Sequence, residues 1–222
     1  MKIIWILLLI FIGFISIFGQ DKTISESEFR VVFDKWNQLS KQKTYRVKVI
    51  AESQLNGNVS NFREESYNEF VPPDRRRYVS ELKTPTLSNR VETIYIGEKK
   101  YTRKNLGEWK EVKVEEKSQR KKDKIIIAEQ IEYKYIGKES LEGQKANVYE
   151  QLVKHKITNE KQATESFSTI KMKYWFGESG LLLKMEMETE ITSGIMKSFS
   201  RRTWNYEYDP NIKIEAPIIP KK

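Results

Sequence analysis

Ile170-Lys171-Met172-Lys173-Tyr174-Trp175-Phe176-Gly177-Glu178-Ser179-Gly180-Leu181-Leu182-Leu183-Lys184-Met185-Glu186-Met187-Glu188 is the stretch that decides the fold. Up to Phe176, the apolar residues Ile170, Met172, Tyr174 and Phe176 alternate with Lys171 and Lys173. A period of two turns one side of a strand to a core and the other to water. Gly177-Glu178-Ser179-Gly180 is turn chemistry, and beyond it Leu181, Leu183, Met185 and Met187 alternate with Lys184, Glu186 and Glu188. The segment is an antiparallel hairpin with one wet and one apolar face.

The same rhythm fills most of the chain. Tyr45, Val47, Val49 and Ala51 alternate with Arg46 and Lys48, and Asn56-Gly57 follows as a hairpin turn signal. Ile131, Tyr133 and Tyr135 alternate with Glu132 and Lys134; Trp204, Tyr206 and Tyr208 alternate with Asn205 and Glu207. Short turns at Gly97-Glu98-Lys99, Asn105-Leu106-Gly107, Glu142-Gly143 and Ser193-Gly194 imply a meander of about nine to eleven antiparallel strands. Before the strands, Phe29, Val32, Phe33, Trp36 and Leu39 recur at helical spacing between Ser25 and about Lys41, and Ser25 with Glu28 forms a capping-box pattern. A single sheet must cover its apolar face, and one helix is available. The expected class is therefore mainly β with one N-terminal helix (α+β), a strongly curved antiparallel meander forming an incomplete, half β-barrel closed by the helix. Lys117–Gln130 is the least regular stretch and reads as solvated loop, with a short helix or flap as alternatives.

Met1-Lys2 followed by the apolar run Ile3–Phe18 and Gly19 has the layout of a signal peptide over 1–19, with an uncleaved N-terminal anchor as the alternative. Residues 20–222 then form one domain, since that length holds one sizeable core and little more. Charged residues make up 32% and the net charge is +9, or +8 without Lys2, but an aromatic share of 12% is too high for disorder. A basic exported protein points to an anionic membrane surface as a partner before nucleic acid, and a periplasmic or otherwise exported location is expected. Acidic and basic residues are evenly mixed, which argues further against nucleic acid. A monomer is the expected state.

With no cysteine, disulfides, thiol catalysis, thiolate metal sites and a lipid-modified N-terminal cysteine are all excluded. The one histidine, His155, sits in Lys154-His155-Lys156 and reads as a solvated strand residue. There is no His-Glu-x-x-His, no Gly-x-Ser-x-Gly, no phosphate loop and no acidic calcium loop, so no enzyme, metal or cofactor is expected. Glu186, Glu188 and Glu190 fall on the polar side of their strand, where pairing with neighbouring cations explains them.

Two segments carry a resemblance. Tyr135-Ile136-Gly137-Lys138-Glu139-Ser140-Leu141-Glu142-Gly143 leading to Val148-Tyr149-Glu150, and Lys173-Tyr174-Trp175-Phe176-Gly177-Glu178-Ser179-Gly180-Leu181, resemble the paired hairpins of the outer-membrane lipoprotein-sorting family (LolA and LolB) and the related LppX/LprG lipid-binding lipoproteins. Pro72-Pro73-Asp74-Arg75 and Tyr208-Asp209-Pro210-Asn211 are similar to family features as well. The resemblance spans about residues 25–217 and implies an unclosed barrel whose helical lid shelters an apolar cavity for acyl chains. On it, the expected function is a non-enzymatic exported carrier of a lipid or acylated lipoprotein. Expected cavity residues are Phe29, Phe33 and Trp36 on the helix and Tyr133, Tyr135, Met172, Tyr174, Leu183 and Met185 on the sheet, with Arg75, Arg76 and Arg77 as headgroup candidates. Methionines suit a cavity that accepts variable chains, and they fill a core equally well. The rival expectation is an envelope structural or protein-interaction module with a filled core and a basic surface.

Overall fold

The structure is a computed structural model that describes residues 21–55, 58–83, 88–113, 124–159 and 164–219. The segment 1–19, the turn Asn56-Gly57 and residues 117–123 lie outside the described residues. In chain order the elements are β1 (Lys22–Ile24), α1 (Glu26–Ser40), β2 (Tyr45–Leu55), β3 (Asn58–Val71), β4 (Arg75–Lys83), β5 (Ser88–Ile96), β6 (Lys99–Lys104), β7 (Lys110–Val112), β8 (Lys124–Leu141), β9 (Gln144–Asn159), β10 (Thr164–Gly177), β11 (Leu182–Ser193) and β12 (Met196–Glu207). The strands form one antiparallel 12-stranded sheet in the order β1-β8-β9-β10-β11-β12-β2-β3-β4-β5-β6-β7. It is an open, incomplete barrel with a single helix among the described residues, as the alternation predicts.

Two expectations are corrected. The sheet is not one meander but two, β2–β7 and β8–β12, joined where β12 pairs with β2. And Lys124–Gln130 is not loop: it opens β8 and pairs with Lys154–Asn159, because the consecutive β-branched residues Ile125, Ile126 and Ile127 suit extended backbone.

The capping box at the start of α1 is formed, with the Glu28 amide donating to Ser25 Oγ at 3.2 Å and the Ser25 amide donating to Glu28 Oε2 at 2.7 Å. That cap also holds the Glu28 carboxyl below its usual range. The helix packs its aromatic stripe on one face of the sheet, here the inner face. There Phe29 sits against Phe33, Tyr133, Tyr149 and Tyr174, with ring centroids 4.9 to 6.3 Å away. Phe29, Tyr174, Phe176 and Leu182 are buried, and Ile24, Val32, Trp36, Met172, Met185 and Tyr206 close around them. The β10–β11 turn comes so near the helix that a Cβ on Gly180 would meet Lys35 Cε at 2.8 Å, and its φ of +88 suits glycine alone.

One irregularity changes the reading of the opening hairpin. Trp175 pairs with Lys184 but Phe176 pairs with Leu182, so β11 carries a bulge at Leu183. An extra residue reverses the alternation beyond it. Leu182 therefore turns inward and is fully buried, whereas Leu183 packs on the outer face with Ala146, Val148 and Trp175.

Candidate functional site

An inner row of directly opposed residues crosses ten strands: Tyr135, Tyr149, Tyr174, Met185, Trp204, Val49, Ser66, Ser80, Val91 and Lys104. Its first half is aromatic apart from Met185 and its second half small or polar. With strands about 4.8 Å apart, the sheet is far wider than the roughly 10–12 Å diameter of one helix. The helix can cover only part of it, and it covers the aromatic half.

Most of the residues expected to line a cavity are brought together there, but as a filled cluster. Phe29 and Tyr174 are buried with Phe176 and Leu182, and Phe33, Tyr133, Met172 and Met185 pack against that cluster. The Tyr174 hydroxyl donates to Gln151 Oε1 at 3.2 Å, and burial pushes its pKa up to about 12. Tyr135 packs on Tyr149 at 5.2 Å and donates to Asn147 Oδ1 at 3.2 Å. The expected inward position of Leu183 is not met, for the bulge sends it to the other face.

The open space lies beside the cluster. A cavity of about 440 Å³ is lined by Trp36, Ser40 and Lys41 from the end of the helix and by Tyr45, Val47, Asn68, Glu69, Phe70, Arg76, Tyr78, Trp204 and Tyr206 from the sheet. Of the expected cavity residues, Trp36 alone belongs to both cluster and cavity. A second space of about 210 Å³ shares Asn68 and Trp204 and runs on past Val49, Ser66 and Arg202. A third, of about 470 Å³, shares Arg76 and Tyr78 and is bounded by Pro73, Asp74, Tyr95 and Gly97. Together they make a trough along the uncovered half of the inner face. Its aromatic wall is fixed in place: Trp36 Nε1 donates to the Tyr208 hydroxyl at 3.3 Å, and that hydroxyl donates to the Leu182 carbonyl at 3.0 Å. Burial raises the Tyr206 and Tyr208 hydroxyls, Tyr208 to about 12, so both stay neutral at physiological pH. Such a wall offers apolar area with few ways to rearrange.

Strand alternation divides the three arginines. Arg75 and Arg77 lie on the outer face, where Arg75 Nη1 donates to the Ile214 carbonyl at 2.8 Å and Arg77 binds Glu69 and Glu92. Arg76 faces the trough, its guanidinium 5.4 Å from the Phe70 ring centroid. The expectation of a headgroup cluster at Arg75, Arg76 and Arg77 is thus reduced to Arg76 by the period of two.

The outer face holds a network that sequence reading passed over. Arg46 donates to Glu69 at 2.7 and 2.8 Å and to Glu207 at 3.4 Å; Arg77 Nε donates to Glu92 at 2.6 Å and Arg103 Nε at 2.8 Å. Trp109 stacks on Arg103 at 4.6 Å, and Ile214 packs with Ile94 and Tyr101 beside it. Glu92 is 2% exposed. Burial alone would raise its pKa, but the hydrogen bonds from Arg103 and Arg77 outweigh it and hold the carboxyl below the usual range. The signal available beforehand was the charges Arg46, Glu69, Arg77, Glu92 and Arg103 set among the apolar residues of successive strands, which come together once the register is known. This network ties strands together and borders a separate space of about 250 Å³ on the outer face, closed by Lys213–Pro217. Among the described residues, no three His, Asp or Glu side chains are grouped to hold a metal ion.

No protein-family model matches the chain, and no curated protein matches it. Among solved structures the chain is similar to LprF from Mycobacterium bovis, at 10% identity and a TM-score of 0.45 over 88% of this chain and 99% of that one. It is similar also to a DUF1329 family protein from Desulfovibrio piger (11% identity, TM-score 0.32, 83% and 94% covered) and to a LolA superfamily protein from Nitrosomonas europaea (10%, 0.29, 80% and 90%). At these identities and at TM-scores under 0.5 the likenesses bear on neither family, ligand nor activity.

Proposed function

We propose that the chain is an exported, non-enzymatic carrier that shelters the acyl part of a lipid or lipidated protein in the trough beside α1. The observation that carries this reading is the 440 Å³ cavity walled by Trp36, Val47, Phe70, Trp204 and Tyr206, which the end of the helix borders and does not fill. Its size lies in the range of small-molecule pockets, roughly 300–1,000 Å³, and an apolar wall gains about 0.8 kcal/mol for each methylene it buries. Binding is non-covalent, and release follows from the open side of the trough. The apolar run Ile3–Phe18 supports export as a signal peptide or anchor.

The rival reading, an envelope interaction module, is favoured by one observation: the contact of the helix with the sheet is filled by rings rather than hollow. Native mass spectrometry of detergent-free protein from an envelope fraction, with lipid extraction, separates the two. Acyl lipids that co-purify and are lost on denaturation are expected. A clean apo mass with no uptake of added phospholipid refutes the carrier and leaves the module.

A further inference from the structure

The cavity walled by rings and the space beside it meet at Arg76 and Tyr78. Strand register sets Tyr45, Phe70, Arg76, Tyr95 and Lys100 opposite one another in a single inner row over β2 to β6. Beyond Tyr45, rings and cations alternate along it. Arg76 lies 5.4 Å from the Phe70 centroid, and Lys100 Nζ lies 5.8 Å from that of Tyr95. Lys41 lines the same cavity from the helix side.

Arg76 differs from its neighbours in what it is free to do. Arg75 is committed to a backbone carbonyl and Arg77 to two carboxylates. Arg76 forms no ion pair among the described residues, although the Asp74 carboxylate bounds the same space. A guanidinium resting on a ring keeps its planar fork of donors for an oxyanion, which is the geometry that phosphate recognition uses. Arg76 and Lys41 line these spaces with the carboxylates of Asp74 and Glu69, but Glu69 is already bound by Arg46 and Arg77 and Lys100 stands on the same row as Arg76, so the mouth of the trough is a site for a negative group carried on an apolar chain.

We propose that this row binds the phosphate of an anionic amphiphile whose acyl chain lies against Trp36, Val47 and Trp204, so that anionic lipids are selected over zwitterionic ones. The inference rests on the carrier reading of the trough. Choline would bring a second cation toward Arg76, Lys41 and Lys100, whereas glycerol would not.

The test compares palmitoyl lysophosphatidylglycerol with palmitoyl lysophosphatidylcholine by tryptophan fluorescence, below their micellar concentrations, on wild type, Arg76→Gln and Arg76→Lys. Wild type is expected to prefer the anionic lipid by about tenfold, the low end for a charge-assisted contact because the site is open to solvent. Arg76→Gln is expected to lose most of that preference, its affinity for the glycerol lipid falling further than that for the choline lipid, and Arg76→Lys to keep part of it. Inorganic phosphate alone is expected not to compete. Equal binding of the two lipids by wild type, an unchanged preference in Arg76→Gln, or displacement by phosphate alone each overturns the headgroup site. Failure of both lipids to bind wild type overturns the carrier reading instead. Circular dichroism shows whether Arg76→Gln is folded, and if it is not, the lysine variant and wild type decide the question between them.

Discussion

Replacing Phe29 by alanine tests whether the aromatic cluster under α1 is a packed core. Phe29 is 6% exposed and meets four rings, at 5.4 Å (Phe33), 4.9 Å (Tyr133), 6.3 Å (Tyr149) and 5.5 Å (Tyr174). Removing a buried phenyl costs about 3–5 kcal/mol, part of it the void left behind. Four lost ring contacts place this case near the middle or above, at about 4 kcal/mol. With a urea m-value of about 2.5 kcal/mol/M for a chain of this size, the unfolding midpoint should fall by about 1.6 M at unchanged m. Denaturation followed by far-UV circular dichroism reads that shift. Below the transition, Phe29→Ala should still take up an acyl probe in the trough, because Phe29 does not line it. A midpoint within about 0.4 M of wild type, coupled with lost probe binding, would mean that the cluster is a ligand cavity and the reasoning wrong.

Glu92→Gln should lower stability at neutral pH by about 2–3 kcal/mol in a chemical melt, below the usual cost of breaking a buried pair because Arg77 and Arg103 stay partly hydrated. Wild type should also lose stability as pH falls below the ordinary carboxylate value of 4.5, and Glu92→Gln should lose less over that interval. The sign follows because the folded Glu92 takes its proton less readily than the unfolded one, so acid favours the unfolded chain until both are protonated. In alkali the buried hydroxyls act oppositely: Tyr174 and Tyr208, raised to about 12, should resist ionisation past the ordinary value of 10, and stability should drain away between those values. Absorbance at the tyrosinate band, native against denatured, checks this, and identical titrations would refute it. Ser25→Ala should cost about 1 kcal/mol through the lost cap, read as a small melting shift, and no change would mean that the start of α1 contributes nothing.

Much of this architecture was legible because its signals are local. The capping pair Ser25 and Glu28 and the stripe from Phe29 to Leu39 mark α1, and a period of two marks the strands. What escaped reading was non-local. The bulge that turns Leu183 outward depends on how β10 meets β11, since a single inserted residue leaves the local composition unchanged. The split of Arg75, Arg76 and Arg77 was implicit in alternation, but which side faces the helix is known only once β4 has its partners. The position of the trough depends on the width of the sheet against one helix, and so on the pairing of β12 with β2. That pairing leaves no mark in either strand alone.

The joint between the two meanders also governs how the chain can be made. Arg46 on β2 and Glu207 on β12 are 161 residues apart, yet their strands lie side by side. As synthesis proceeds, β2 to β7 can zip up hairpin by hairpin, but the free flank of β2 must wait until nearly everything else has emerged. For that interval the nascent product carries a raw strand edge eleven residues long, Tyr45–Leu55, with Val47, Val49 and Ile50 at its centre and open to any neighbouring chain. Premature termination before β12 would therefore yield not a smaller working protein but two half-sheets with adhesive borders, a product destined for chaperones, proteases or aggregates.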